Sequence, residues 1–133
     1  MSRRLHLWLP VAAYMALIFW LSSMTSPPGP NGWLSDKAQH AIAYGGLAIV
    51  TLRATSGGRW WAAPLGALAV AWAIATVYGA TDEFHQAFTP GRTPDVLDLR
   101  ADAIGAALGL GLAWCCGIIR RLVAPTRAST TPP

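Results

Sequence analysis

Four apolar stretches limit what this chain can fold into. They occupy residues 5–24, 36–52, 60–79 and 97–119 of a 133-residue sequence, and each is near the roughly 20 residues that an α-helix needs to cross a bilayer. The second is the shortest and contains His40, so on its own it is also compatible with a buried or re-entrant helix. With 53% hydrophobic and 12% charged residues, the composition is typical of an integral membrane protein. We therefore predict an all-α fold, a bundle of four transmembrane helices within residues 1–124, followed by a flexible cytoplasmic tail at 125–133.

Basic residues alternate along the chain in a way that indicates membrane orientation. Seven arginines lie at the N-terminus, in the second connection and in the C-terminal tail: Arg3, Arg4, Arg53, Arg59, Arg120, Arg121 and Arg127. The other connections, 25–37 and 80–100, carry only Lys37, Arg92 and Arg100 as basic residues. Because cytoplasmic connections are enriched in Lys and Arg, this pattern predicts four crossings with both termini in the cytoplasm. The basic residues form no patch with base-stacking aromatic residues, so the net charge of +4 does not indicate nucleic-acid binding.

Five of the six acidic residues lie between residues 78 and 102, and the sixth is Asp36. The charge pattern predicts that all of them face the extracytoplasmic side. Ionisable groups beside membrane spans are costly unless paired or hydrated, and they indicate a functional site by default; the alternative is that they only link helices to one another. We interpret Asp95 and Arg100 as solvated loop charges. A functional site is favoured for six residues that converge from three helices: His40, Tyr44, Asp82, Glu83, Asp98 and Asp102.

The spacing of residues indicates which helix faces carry these groups. Asp36, His40 and Tyr44 recur every fourth residue, so they share one face of the second helix. In the fourth helix, Asp98 and Asp102 lie on the face that continues as a seam of small residues. The seam consists of Ala101, Gly105, Gly109, Ala113 and Gly117. Since small residues let transmembrane helices approach closely, both carboxylates are expected to point into the bundle.

Three polar motifs together resemble one protein family. DKAQHAIAY at 36–44, YGATDEFHQAFTPGR at 78–92 and DLRADAIGAALG at 98–109 are similar, in the same order, to the pattern of the VanZ-like family of small bacterial membrane proteins. That pattern is D-K-x-x-H-x-x-x-Y, then Y-x-x-x-D-E-x-x-Q-x-F-x-P-x-R, then D-x-x-x-N-x-x-G. Asp102 stands where the family usually has Asn, which adds a potential negative charge. The resemblance implies a multi-pass protein of the bacterial cytoplasmic membrane and an association with resistance to teicoplanin, a glycopeptide that acts on cell-wall precursors outside the membrane.

Two hypotheses follow for the polar residues. In the first, the protein is a membrane-embedded enzyme that acts on an anionic lipid or a lipid-linked cell-envelope substrate. The candidate catalytic residues, which would supply acid and base groups, are His40, Tyr44, Asp82 and Glu83. The candidate substrate-binding residues, of which Lys37 and Arg92 would clamp phosphate, are Asp36, Lys37, Tyr78, Gln86, Arg92, Asp98 and Asp102. In the second hypothesis, the same residues bind a headgroup without turnover, in a lipid-binding, transport-associated or scaffold protein.

No recognisable catalytic motif narrows the reaction. The sequence contains no serine elbow, phosphate-binding loop or HExxH zinc motif. We assign neither a cofactor nor a set of metal ligands, although the carboxylates of Asp82, Glu83, Asp98 and Asp102 leave a divalent ion as an alternative. Whether His85 belongs to the site, and which oligomeric state the protein adopts, remain open at this stage.

Overall fold

The computed structural model describes residues 2–25 and 34–123, and this part of the chain is all-α, as predicted. Its four α-helices are α1 (Arg3–Ser22), α2 (Asp36–Thr55), α3 (Leu65–Gln86) and α4 (Val96–Val123). A single turn of 3-10 helix, Trp60–Ala62, precedes α3. The predicted tail at 125–133 lies outside the described residues.

Local signals explain where the helices begin. The Ser35 hydroxyl accepts a hydrogen bond from the backbone N–H of Ala38 at 3.2 Å, which is the usual N-cap arrangement. The third helix begins five residues later than the predicted span at 60–79. Pro64 is its N-cap residue, and Ala63 has an extended backbone with φ −65° and ψ 129°. A proline disfavours the helical conformation of the residue before it, so Trp60–Ala62 is separated from α3.

Three of the four helices, α1, α3 and α4, are long and apolar enough to cross a membrane. Large apolar side chains point away from the bundle: Trp20 is 57% exposed, Leu65 74% and Leu122 80%. The interior is instead rich in small residues, such as the fully buried Ala71 and Ala75. A bundle surrounded by lipid has no need to bury its large apolar side chains, and small interior residues let its helices pack closely. The protein is therefore a multi-pass membrane protein.

Helix α2 lies at the centre of the bundle, where it contacts α1, α3 and α4. Its closest contact is with the small-residue seam of α4. A Cβ atom on Gly105 would overlap the backbone of Ala41, and one on Gly109 would lie 2.6 Å from the carbonyl oxygen of Gly45. These contacts advance in the same direction along both helices, so α2 and α4 run parallel. The structure confirms that the seam is a helix-packing face.

One end of the bundle gathers arginine residues. A guanidinium nitrogen of Arg3, at the start of α1, donates to the carbonyl oxygen of Gly57 at 2.9 Å, in the turn after α2. The guanidinium of Arg120, near the end of α4, lies 4.4 Å from the ring centre of Trp61. The N-terminal ends of α1 and α3 and the C-terminal ends of α2 and α4 therefore lie together.

The opposite end of the bundle gathers the acidic residues. Lys37 Nζ lies 2.6 Å from Asp95 Oδ2 and 2.5 Å from Asp98 Oδ1, so it joins the start of α2 to the start of α4. The hydrogen bond from Lys37 lowers the pKa of Asp95. The backbone N–H of Asp95 also donates to Glu83 Oε2 at 2.9 Å. Asp95 thus lies in the loop before α4 with its side chain 40% exposed, as predicted for a solvated loop charge, but it is also paired with Lys37, which the sequence did not indicate.

The packing of α2 against α4 can be tested with two glycine-to-alanine substitutions in the same helix. We expect Gly105→Ala to lower the melting temperature of the detergent-solubilised protein, because overpacking of this kind typically costs about 1–3 kcal/mol. The matched control is Gly111→Ala, where an added Cβ has no neighbouring atom within 4 Å. Alanine is the better helix former, by up to about 1 kcal/mol, so Gly111→Ala should hold or raise the melting temperature. Equal melting temperatures for the two variants would contradict the packing face.

Candidate functional site

A cavity of about 350 Å³ opens at the acidic end of the bundle, between α1, α2 and α3. One part of its wall is apolar and consists of Ile18, Leu21, Leu34, Ile42 and Ala43. The other part is polar and consists of Ser22, Asp36, Gln39, His40, Tyr44, Asp82, Gln86 and Arg92. Small-molecule sites typically combine a mainly apolar wall with a few placed polar groups. We refer to this space as the headgroup cavity, after the ligand that we propose for it below.

His40 connects the headgroup cavity to a carboxylate behind it. Its Nδ1 lies 2.9 Å from Asp102 Oδ1, and Asp102 is 0% exposed. Gly79 of α3 makes room for this carboxylate, since a Cβ there would lie 2.6 Å from Asp102 Oδ2. A carboxylate that accepts from one ring nitrogen fixes the tautomer and the orientation of an imidazole. Asp102 therefore holds His40 in place and leaves Nε2 without a hydrogen bond to any described residue.

The two tyrosines predicted for the site are neighbours, with ring centroids 6.4 Å apart, but only Tyr44 lines the cavity. The ring of Tyr44 stacks nearly parallel to that of His40, with centroids 6.3 Å apart. Tyr44 is 1% exposed, and its hydroxyl lies beside Asp82 without a hydrogen bond of standard geometry. Tyr78 instead donates its hydroxyl to the carbonyl oxygen of Met15 at 2.7 Å and lines a separate pocket on the other side of α3. The structure thus brings Tyr44 to the headgroup cavity and places Tyr78 outside it.

Three carboxylates lie at or behind the polar part of the cavity wall, which we call its floor. All three are buried, and each has one oxygen without a hydrogen bond. Asp82 is 5% exposed, Glu83 8% and Asp102 0%, which confirms the expectation that Asp102 points into the bundle. Within residues 2–25 and 34–123, no hydrogen bond of standard geometry reaches Asp82 Oδ1, Glu83 Oε1 or Asp102 Oδ2. The hydroxyl of Tyr44 lies beside Asp82 but makes no such bond. Only a long contact of 3.4 Å joins the amide of Gln86 to the other oxygen of Asp82. Because buried polar atoms in proteins normally have partners, these oxygens are available to a ligand.

The two basic residues predicted to clamp phosphate have different surroundings. Lys37 is paired with Asp95 and Asp98, and it does not line the headgroup cavity. Asp98 is itself 4% exposed and serves this ion pair. Arg92 does line the cavity, where its Nε donates to the carbonyl oxygen of Met24 at 3.2 Å. No carboxylate of the described residues pairs with Arg92, so it is the cation that remains available to an anion.

Sequence reasoning missed two groups of cavity residues. Gln39 lines the cavity, and its position in an otherwise apolar stretch next to His40 is a signal that could have identified it. The residues of α1 that line the cavity, among them Ile18, carry no such signal, because that helix has no charged residue near its C-terminal end. His85, which the sequence left open, lies outside the cavity. It links α3 to α1 through a 3.0 Å contact between its Nε2 and Ser23 Oγ.

Comparison with known proteins identifies the family. A family model described as VanZ/LLP1 matches residues 7–120, a range that includes α2 and α3 in full and the parts of α1 and α4 that contact them. Neither the curated proteins nor the solved structures yielded a match. The matched range covers most of the chain and all three polar motifs, and the chain therefore belongs to the VanZ/LLP1 family.

Proposed function

We propose that this protein binds the anionic headgroup of a membrane lipid, or of a lipid-linked precursor of the cell envelope, and carries out acid–base chemistry on it. The observation that carries the proposal is the composition of the headgroup cavity. It joins an apolar wall to a buried His–carboxylate pair and to a guanidinium that has no carboxylate partner among the described residues.

The apolar wall supports an amphiphilic ligand rather than a free anion. Ile42, on this wall, is 62% exposed and so belongs both to the cavity and to the surface that lipid would cover. An acyl or polyprenyl chain could therefore lie along α1 and α2 while its headgroup enters the cavity. The contact would exclude water from apolar groups that the cavity otherwise leaves open.

Arg92 is the residue we assign to the anionic group. A guanidinium offers planar pairs of donors that match phosphate and carboxylate oxygens. The backbone contact of Arg92 uses only Nε, which leaves the terminal nitrogens for a ligand. Asp36 and Gln86, which also line the cavity, are assigned to hydroxyl or amide groups of the bound headgroup.

His40 is the residue we assign to proton transfer. It lines the cavity while Asp102 orients its ring from behind, an arrangement used by histidines that act as general acids or bases. The unpaired atoms of Tyr44 and Asp82 on the same floor can donate to or accept from the bound group. Glu83 accepts from Asp95 behind the floor, and we assign it to supporting His40 electrostatically.

We also infer that α2 crosses the membrane and that the cavity opens on the extracytoplasmic side. With 20 residues, α2 is about 30 Å long at 1.5 Å per residue, which matches the hydrocarbon thickness. It can be less apolar than its neighbours because three helices surround it. The arginines at the opposite end of the bundle favour a cytoplasmic location for that end. Lipid-linked wall precursors are exposed outside, so binding one there would link the protein to teicoplanin resistance.

This orientation predicts the labelling of single cysteines. In a Cys115→Ala, Cys116→Ala background, a cysteine introduced by Thr93→Cys should react with a membrane-impermeant maleimide in intact cells. A cysteine introduced by Ser56→Cys, at the arginine-rich end, should react only after permeabilisation. The reverse pattern would place the headgroup cavity in the cytoplasm and exclude wall precursors on the outer surface as its ligand.

The assignment of Arg92 predicts a difference between two conservative substitutions. Binding is measured by fluorescence titration of the purified protein with nanodiscs containing a polyprenyl phosphate in phosphatidylcholine. Arg92→Lys should weaken binding about tenfold, or about 1.4 kcal/mol, because lysine keeps the charge but loses the planar pair of donors. Arg100→Lys is the control, since Arg100 is exposed and lies outside the cavity. Equal affinities for both variants, or equal binding to phosphatidylcholine alone, would contradict the headgroup assignment.

The assignment of His40 predicts loss of activity without loss of fold. His40→Gln keeps a polar side chain of similar size but cannot serve as a base near neutral pH, so turnover of a lipid phosphate, followed by mass spectrometry, should fall at least about 100-fold. Teicoplanin resistance in cells should fall with it. The melting temperature and the lipid affinity should change little. A melting temperature that falls in proportion to activity would mean that His40 only links helices. A parent protein that binds the lipid but does not turn it over would mean that the site binds its ligand without catalysis.

A further inference from the structure

We propose that His40, Glu83 and Asp102 form a binding site for a divalent metal ion, of the Mn²⁺ or Zn²⁺ type, behind the floor of the headgroup cavity. One ligand atom from each of these side chains lies within 4.8 Å of the others. The three residues come from α2, α3 and α4, so an ion there would join three helices. Its use in chemistry rests on the proposed function, whereas its binding does not.

The unpaired oxygens are independent evidence for a ligand at this position. Glu83 and Asp102 are each more than nine-tenths buried, and one oxygen of each, Glu83 Oε1 and Asp102 Oδ2, has no donor within the described part of the chain. Their other oxygens are engaged, with the Asp95 N–H and with His40. Each carboxylate therefore has one oxygen in use for structure and one left for an ion.

The balance of charge also favours a cation. Asp82, Glu83 and Asp102 are all buried, and Glu83 and Asp102 also lie close to each other. An uncompensated buried carboxylate is costly. Lys37 is already paired with two other acids, while Arg92 lies at the cavity wall. A divalent ion held by two carboxylates would offset their charge without a further protein cation. The competing arrangement, in which the carboxyl groups stay protonated and share hydrogen bonds, requires no metal.

A second combination of ligands that includes His40 is less suitable. Asp36 and Asp98 also come within the same distance of this histidine. Asp98 Oδ1, however, is 2.5 Å from Lys37 Nζ, and the side chain of Asp36 is 58% exposed. An ion at that position would compete with the lysine and with water, so we assign the ion to Glu83 and Asp102.

The donor types indicate the class of metal. Magnesium and calcium prefer oxygen ligands alone. An imidazole together with carboxylates is a set that Mn²⁺ and Zn²⁺ accept. Because His40 also lines the headgroup cavity, such an ion would add positive charge beside the site proposed for the phosphate.

The test measures metal uptake by the full-length protein in detergent, with no lipid added. After treatment with a chelator, the protein is titrated with MnCl₂, ZnCl₂ and MgCl₂, desalted and analysed by inductively coupled plasma mass spectrometry. We expect about one Mn²⁺ or Zn²⁺ per chain, little Mg²⁺, and a higher melting temperature with the bound metal. Glu83→Gln and Asp102→Asn should each weaken binding at least about 100-fold, since loss of an outer-shell partner alone costs 10–100-fold.

Asp36→Asn is the matched control, because it removes a carboxylate only from the second combination of ligands. It should bind the metal as the parent does. A parent protein that takes up no Mn²⁺ or Zn²⁺ would overturn the proposal, as would a loss of metal in Asp36→Asn with none in Glu83→Gln. If Glu83→Gln or Asp102→Asn does not fold, the pulsed electron paramagnetic resonance spectrum of Mn²⁺ bound to the parent protein tests the ligands instead. A histidine ligand gives coupling to ¹⁴N. An ion bound only by carboxylates gives no such coupling, and that result would overturn the proposed site. A parent protein that binds lipid but takes up no Mn²⁺ or Zn²⁺ when titrated would overturn the metal site alone. Metal uptake without lipid binding would overturn only the proposed function.

Discussion

The close approach of α2 and α4 is the contact on which the rest of the structure depends. At Gly105 and Gly109 the two helices meet backbone to backbone, with no space for a Cβ atom. Since the helices run parallel, this contact brings the start of α2 beside the start of α4. Lys37 then reaches Asp98, and His40 reaches Asp102. A larger residue at Gly105 or Gly109 would force the two helices apart and so lengthen these pairs.

The acidic end shows how a membrane protein accommodates buried charge. Helices are held together in a bilayer by packing and hydrogen bonds rather than by exclusion of water, so polar groups inside the bundle need partners of their own. Lys37 satisfies Asp95 and Asp98, and the Asp95 N–H satisfies one oxygen of Glu83. One oxygen each of Asp82, Glu83 and Asp102 is left without a hydrogen bond. Asp82 lines the cavity, and Glu83 and Asp102 lie near His40. A ligand bound near His40, whether a metal ion or a substrate, would supply partners for these oxygens.

The headgroup cavity combines features that explain both proposals. Its apolar wall comes from α1, α2 and Leu34, while most of its polar residues come from α2 and α3. A ligand with an apolar chain and an anionic head would contact all three helices at once. The metal site proposed behind His40 would add positive charge next to the same floor. Substrate binding and metal binding are thus distinct hypotheses that share His40, and a His40 nitrogen that holds a metal ion is not free to accept a proton.

Several features of the fold could be predicted from the sequence because they depend on neighbours along the chain. The apolar lengths indicated the helices, and the small residues at every fourth position indicated the seam that packs against α2. The same spacing indicated that Asp98 and Asp102 point inward, and both are buried. Pro64 indicates that α3 starts after it. The apolar stretch at 60–79 did not reveal this start, because it extends to both sides of the proline.

The partners of the polar residues were decided by the tertiary structure. Whether Lys37 binds a lipid phosphate or two carboxylates depends on how close α4 lies, and nothing in the residues around Lys37 encodes that distance. The same holds for Tyr78, whose hydroxyl meets a carbonyl oxygen of α1, and for Asp95. The sequence by itself therefore determined the helices, their apolar lengths and the faces that carry charge. The tertiary structure alone decided which of those charges are paired with one another and which are left for a ligand, because pairing depends on distances between helices.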